Sequence, residues 1–361
     1  MSDPTELREM LALTREFAAA ELRPQSERWD REGGLGDDTM AQLAELGFLG
    51  MAAPESAGGM GLDRASVAAA VAQLAWGEAS AGMAVALHAQ VTAMVARAAS
   101  EAARQQWLPP LATGQLIGCA SVAGGGTGAV EAAAADGGWV LNGSLDWVGN
   151  ARGQGLLALV AEAAPGPVLC LVPLAADGVG LEAPAATLGL RPLALRTVAL
   201  RGVRVAGEAV LLGPGLPPAE YLAQAEDAAV SVAAVAVGIA QAALDHARDY
   251  ATVREQFGRR LRDFEGIAQK LADMVIRVTA ARALLERAGG ASDPAAVPVA
   301  KVAAAEAAMY VSTQAVQVFG GYGYMRDYPV EKLMRDGKAM SLLGGADEWQ
   351  RARIAELLYA E

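Results

Sequence analysis

The sequence predicts an α+β protein in three successive parts: helices over residues 1–113, short strands over 114–217 and a bundle of long helices over 218–361. Three observations predict it. Apolar residues recur at helical spacing from Thr5 to Leu108 and again from Glu220 onward. Between them, short apolar runs alternate with Gly and Pro turns, which is strand patterning. No helical pattern interrupts those strands, so a doubly wound parallel sheet is excluded.

In the first part, Leu7, Met10, Leu11, Leu13, Phe17 and Leu22 form a stripe that predicts a helix over Thr5 to Arg28. Met40, Leu43 and Leu46 predict a shorter one over Asp38 to Leu46. The loop from Pro54 to Leu62 is too rich in Gly and Pro for regular structure. Helices follow over Ala65–Trp76, Ala81–Ala99 and Glu101–Leu108. His88 sits among Ala, Val and Leu; it reads as a half-buried helix residue or as a polar group at a substrate tunnel.

In the second part, Gln115–Val122 reads as a strand, and Gly124 to Gly128 as a flexible loop. That loop lacks G-x-G-x-x-G spacing and leads into another strand, so it is a turn rather than a dinucleotide fingerprint. Trp139–Gly143 reads as a strand with a turn, and Leu145–Val148 as its return. Further strands are expected over Leu156–Ala161, Val168–Val172, Gly180–Glu182, Thr197–Leu200 and Val203–Val205, which suits a compact barrel or sandwich.

In the third part, long helices are expected over Glu220–Thr252, Phe264 to about Glu286, and Ala295–Phe319, joined by short links as an up-down bundle. The Ala-rich run Ala228–Ala240 and Gly238 suit close helix packing. Phe319-Gly320-Gly321-Tyr322-Gly323 is a turn, Asp327-Tyr328-Pro329 starts a helix, and Leu342 to Ala346 breaks the pattern before a last helix opening at Ala346 or Asp347.

Composition narrows the function. A net charge of −12 argues against nucleic acid, whose phosphates need a basic surface. Two cysteines and two histidines make a disulfide framework or a His-based metal centre improbable. The charged N-terminus lacks the apolar core of a signal peptide, and the apolar run is short for a membrane span, so a cytoplasmic protein is expected.

The stretch Gln317 to Arg351, with its Gln and Gly pair, YPVEK, RD and K, resembles the C-terminal signature of the acyl-CoA dehydrogenase family. The LG-L-G…PE loop near Pro54 and the phrase Asn142 to Ala151 are similar to the family as well, so the resemblance runs from about Thr5 to Leu358. It implies a helical N-terminal domain, a middle β-barrel domain and a C-terminal four-helix bundle. It also implies FAD as cofactor, an acyl-CoA or acyl-carrier thioester as substrate, and an electron-transfer flavoprotein as electron acceptor. The assembly it implies is a homo- or hetero-oligomer, a dimer of dimers.

The resemblance assigns roles residue by residue. Ser121 and Thr127 keep hydroxyls where the family holds the flavin and diphosphate, and Trp147 matches the tryptophan packed on the flavin ring. Arg254, Phe257, Gln317, Gly320 and Gly321 match residues that reach a neighbouring subunit's flavin; a guanidinium fork suits phosphate. Glu265 stands where Gln is usual. Other positions depart from the pattern: the catalytic Glu falls on Gly344, its following Thr on Ala346, and the Thr at the reactive flavin edge on Gly149. The base position that some members use on the long helix is Ala228, beside Glu226 and Asp227, which leaves Asp227 as the alternative base. Asp347 and Glu348 read as first-turn residues favoured by the helix dipole. The losses face ring and substrate, while the neighbour-facing set is intact. This suggests either an acyl-thioester dehydrogenase with a displaced base, or a partner subunit that only completes a neighbour's FAD site. A third option is a flavin enzyme of this fold with other chemistry.

Overall fold

The computed structural model describes residues 4–36, 38–123, 130–214, 218–290 and 293–359. The first helical stretch is α1 (Pro4–Phe17), a π-helical turn (Ala18–Leu22), a 3-10 turn (Arg23–Gln25) and α2 (Ser26–Glu32). The single helix expected over Thr5–Arg28 is therefore interrupted. Pro24 has no N–H to give and its ring crowds the carbonyl a turn earlier, so the ladder changes pitch there. Next come α3 (Thr39–Glu45), α4 (Arg64–Gly77), α5 (Ala79–Ala98) and α6 (Glu101–Ala112). The side chains of Asp63, Glu78 and Ser100 accept from Ser66, Ser80 and Ala103 backbone N–H groups, capping α4, α5 and α6.

Helix α5 is apolar all round, and nearly every side chain from Ala79 to Val95 is buried. By length and composition, Ala79–Ala98 and Ala223–Val253 are long and apolar enough to cross a membrane, yet 89% of each window is covered by the fold itself.

The strands are β1 (Ile117–Ser121), β2 (Val130–Ala135), β3 (Gly138–Gly149), β4 (Gly155–Ala161), β5 (Val168–Pro173), β6 (Val179–Leu181), β7 (Arg196–Ala206) and β8 (Val210–Leu212). They run in the order β6-β7-β3-β1-β4-β5-β8, with β2 also on β3. Only the β1–β4 pairing among them is parallel. Ala132 N–H donates to Glu162 O, and Glu162 N–H to Val130 O, so β2 meets the end of β4 and curls the sheet around a core of Leu141, Val148, Leu157, Cys170 and Val198. β3 is one strand of twelve residues, not two strands joined by a turn at Asn142-Gly143. The Gly143 φ of 130° is absorbed in a bulge against β7, so the chain twists there without reversing. Burial pushes both thiols, Cys119 and Cys170, up to about 12, which leaves them inert.

The C-terminal part holds α7 (Pro218–Val253), α8 (Glu265–Gly290), α9 (Ala296–Phe319), α10 (Pro329–Ala339) and α11 (Asp347–Leu357). α7 packs on α9 and α8, and also on α4 and α5, so one core runs through both helical parts. Gly238 makes that crossing possible: a Cβ there would lie 2.6 Å from Ala72 O on α4.

Three polar pins lock the parts together. His88 is fully buried, not half-buried; its Nε2–H donates to Leu49 O, and Gly118 N–H of β1 donates to its Nδ1. Burial lowers this imidazole to about 4, so it is neutral at pH 7. Lys332 of α10 bridges Glu78 Oε2 (2.9 Å) and Asp336 Oδ2 (2.7 Å), all three buried. Burial by itself would lower the Lys332 ammonium, but Asp336 and Glu78 outweigh it and hold it above its ordinary value. Arg335 forks onto Asp30 and Glu331.

Candidate active site

The end of β1, the end of β3 and the loop between α10 and α11 converge. Gly344 N–H donates to Val122 O (2.9 Å) and Gly345 N–H to Ala123 O (3.2 Å), which docks the loop on the chain leaving β1. Gln350 Nε2 donates to Gly344 O. Gly344 sits at φ 63°, and a Cβ there would lie 2.8 Å from Val232 Cγ2 and 2.9 Å from Ala228 O. The position of the expected base is thus glycine for two reasons, backbone conformation and the close approach of α7. Ala346 caps α11 without a side-chain hydrogen bond. Asp347 opens that helix as expected, but it is buried and held by Lys301 at 2.6 Å, and it does not line the cavity described below.

Trp147 lies at φ 56° at the sheet end and is 39% exposed. Ser121 Oγ donates to Asp146 O (2.9 Å) and accepts from Ala123 N–H (3.3 Å). Gly149 is enclosed: a Cβ there would be 2.4 Å from Leu87 Cδ1 and 3.7 Å from Leu193. Thr127 lies outside the described residues.

A cavity of about 230 Å³ runs between α4, α5 and α7. Ala86, Ala89, Gln90 and Ala93 line it from α5, one turn of which carries Leu87 against Gly149. Asp227, Val230 and Ser231 line it from α7, whose next face meets Gly344. Asp227 therefore faces the cavity and is the only carboxylate among the described lining residues. Arg97 Nη2 donates to its Oδ2, and Arg64 Nη1 is 3.6 Å from its Oδ1.

The bundle end gathers the other set. α7 closes at Val253, and Arg254 leads into a two-stranded hairpin, β9 (Glu255–Gln256) and β10 (Arg259–Arg260). Phe257 (φ 50°) and Gly258 (φ 78°) make its turn, both left-handed as this hairpin type requires. Phe257 is 94% exposed, an aromatic ring held out on a strained turn. Tyr250 stacks on Phe319 at 4.0 Å, Phe319 meets Tyr328, Tyr322 meets Tyr328, and Arg254 lies 5.5 Å from the Tyr322 ring. This aromatic chain brings Arg254 beside the α9 terminus with exposed Gln317, Gly320 (φ 60°) and Gly321. A Cβ at Gly320 or Gly321 would meet nothing within 4 Å, so their backbone is open to an approaching group. Glu265 is exposed and accepts from Gln269. No group of metal-ligating side chains occurs among the described residues.

Sequence reasoning grouped the two sets and placed the losses, but it missed Gln90, Arg64 and Arg97. Gln90 is a lone amide in an Ala and Val helix, a weak local signal. Nothing in the local pattern ties the two arginines to Asp227; the fold brings them there.

The acyl-CoA dehydrogenase N-terminal domain matches residues 4–115, and the acyl-CoA dehydrogenase C-terminal domain matches residues 222–359. A probable acyl-CoA dehydrogenase of Bacillus subtilis (strain 168) is 33% identical over 96% of both chains. The chain belongs to the acyl-CoA dehydrogenase family. A butyryl-CoA dehydrogenase structure from Megasphaera elsdenii superposes with a TM-score of 0.92 at 27% identity, covering all of both chains. A structure described as the electron transferring flavoprotein of Acidaminococcus fermentans gives 0.94 at 26%, again over all of both chains.

The family resemblance implies FAD as cofactor. The residues present fit it unevenly. At the bundle end, a guanidinium with no carboxylate partner among the described residues lies beside two uncovered glycines, the chemistry a diphosphate and an adenine need. At the sheet end, Trp147 is partly exposed, but Leu87 fills the space of a side chain at Gly149.

Proposed function

We propose that this acyl-CoA dehydrogenase family member takes part in FAD-dependent α,β-dehydrogenation of an acyl thioester, of CoA or of a carrier protein. It works in an oligomer in which Arg254, Phe257, Gln317, Gly320 and Gly321 complete a neighbouring subunit's FAD site. The observation that carries the reading is Asp227, a carboxylate facing a largely apolar cavity between α4, α5 and α7; α5 also packs on Gly149 through Leu87, and α7 on Gly344 through Val232 and Ala228. FAD supplies the acceptor for the β-hydrogen. Asp227 takes the α-proton in place of a side chain at 344. Arg97 and Arg64 hold its carboxylate in one geometry, and the Ala and Val walls keep water from the reacting carbons. The likeness to the electron transferring flavoprotein structure supports such a protein as electron acceptor.

A second reading is favoured by the closure of Gly344 and the filling of Gly149: a partner subunit that does no chemistry itself. Native mass, flavin spectrum and turnover separate the two. On the first reading the purified chain is a yellow oligomer, and Asp227→Asn lowers turnover by roughly 10²–10⁴ while flavin stays bound. A colourless chain that gains flavin only with a related catalytic subunit establishes the second.

A further inference from the structure

The cavity holds one polar group that the protein leaves unanswered. Gln90 is only 8% exposed, and its Oε1 is buried with no hydrogen-bond partner among the described residues. An unpaired buried carbonyl costs about 1–3 kcal/mol. The amide nevertheless stands in a wall otherwise built of Ala52, Ala86, Ala89, Ala93 and Val71. The charged groups at the cavity are already matched. Arg97 pairs with Asp227; Arg64 lies 3.6 Å from Asp227 and 3.7 Å from Glu226, and donates to Ala288 O. Both lining cations thus already have carboxylate or carbonyl partners, and neither is left unanswered for a charged ligand.

Gln90, Ala93 and Arg97 lie on one face of α5. Arg97 is the exposed end and holds Asp227; Gln90 is seven residues nearer the helix start, roughly 10 Å along the axis. An acyl chain whose α-carbon rests at Asp227 thus runs inward to Gln90. Rotation of the terminal amide about its last bond presents either its oxygen or its N–H to that chain.

We infer that Gln90 is a specificity-determining residue, and that the acyl group carries a neutral hydrogen-bonding group, a hydroxyl or an amide, several carbons beyond its α-carbon. This rests on the acyl-thioester reading above. A plain alkyl chain would seal the unpaired carbonyl away from water, and a carboxylate-ended chain would add an unmatched charge.

The test is titration calorimetry of the full chain with CoA thioethers, which have no acidic α-proton and do not turn over. S-alkyl-CoA is compared with S-(ω-hydroxyalkyl)-CoA at several chain lengths. At the best length the hydroxyl compound should bind about 3- to 10-fold tighter, the value of one net hydrogen bond. In Gln90→Leu, or Gln90→Met if the first fails to fold, the order should reverse. Equal or weaker binding of the hydroxyl compound at every length, or a ratio unchanged in the variants, overturns the role of Gln90 while leaving the acyl-thioester reading standing. Failure of both ligand classes to bind overturns that reading and this inference with it.

Discussion

Leu87 of α5 occupies the space that a side chain at position 149 would need, its Cδ1 standing 2.4 Å from where a Cβ would be built. The loss at 149 is therefore coupled to the core of the helical part and is not an isolated change at the sheet end.

That coupling predicts a double-mutant result. Gly149→Thr should destabilise the chain by about 1–3 kcal/mol through overpacking. Leu87→Ala should remove a buried side chain at a cost of about 2–5 kcal/mol. Together they should cost clearly less than the sum, because the threonine fills the vacated space. Urea unfolding of the three variants measures the cycle, and additivity would show that the two positions do not share that space.

Restoring a base at 344 should not come free. Gly344 is left-handed and pressed against the backbone of Ala228, so Gly344→Glu should lower stability by about 1–3 kcal/mol. Its melting temperature beside that of the wild type tests this, and an unchanged value would mean that α7 moves aside readily.

His88 predicts a pH dependence. The unfolded imidazole titrates near 6.5, and burial lowers the folded one to about 4. Between those values the unfolded chain binds a proton that the folded chain refuses, so stability falls as pH drops and is flat above about 6.5. The share of His88 should be about 2 kcal/mol between pH 7 and pH 5. In His88→Asn that share is absent, so the gap in unfolding free energy between the two proteins should narrow by about this amount on acidification.

Lys332 bridges two buried carboxylates, Glu78 and Asp336. Lys332→Met should leave Glu78 and Asp336 facing each other without a cation, at a cost of about 3–5 kcal/mol. Asp336→Asn should cost less, since Glu78 still pairs with Lys332. Denaturant midpoints of the two variants give the order, and a reversed order would mean that Asp336 alone carries the pair.

At the bundle end, Arg254→Ala should weaken FAD binding by roughly 10- to 100-fold while leaving far-UV circular dichroism unchanged, because among the described residues Arg254 meets the Tyr322 ring and makes no ion pair. Flavin content after dialysis reads the loss; full retention would remove Arg254 from the FAD site.

Much of this architecture is legible in the sequence because helical and strand periods differ and glycine punctuates both. The three-part order and the long α7 to α9 helices follow from local pattern. The grouping of Arg254 with Gln317 and the Gly320-Gly321 turn, and the departures at 149 and 344, come from the family resemblance instead. Local pattern misreads two places where the tertiary partner decides. Asn142-Gly143 looks like a turn, but pairing with β7 keeps β3 straight through it. The stripe from Leu7 to Leu22 looks like one helix, but Pro24 and packing on α4 break its pitch.

The sequence by itself determined the family, the elements and the absence of a carboxylate at 344. Only the tertiary structure decided that Asp227 faces a cavity, that Gln90 is left unpaired in its wall, and that Leu87 and α7 close the two vacated positions. Side-chain direction on an Ala-rich helix is set by which neighbour packs where, and small residues on every face give the local pattern nothing by which to choose.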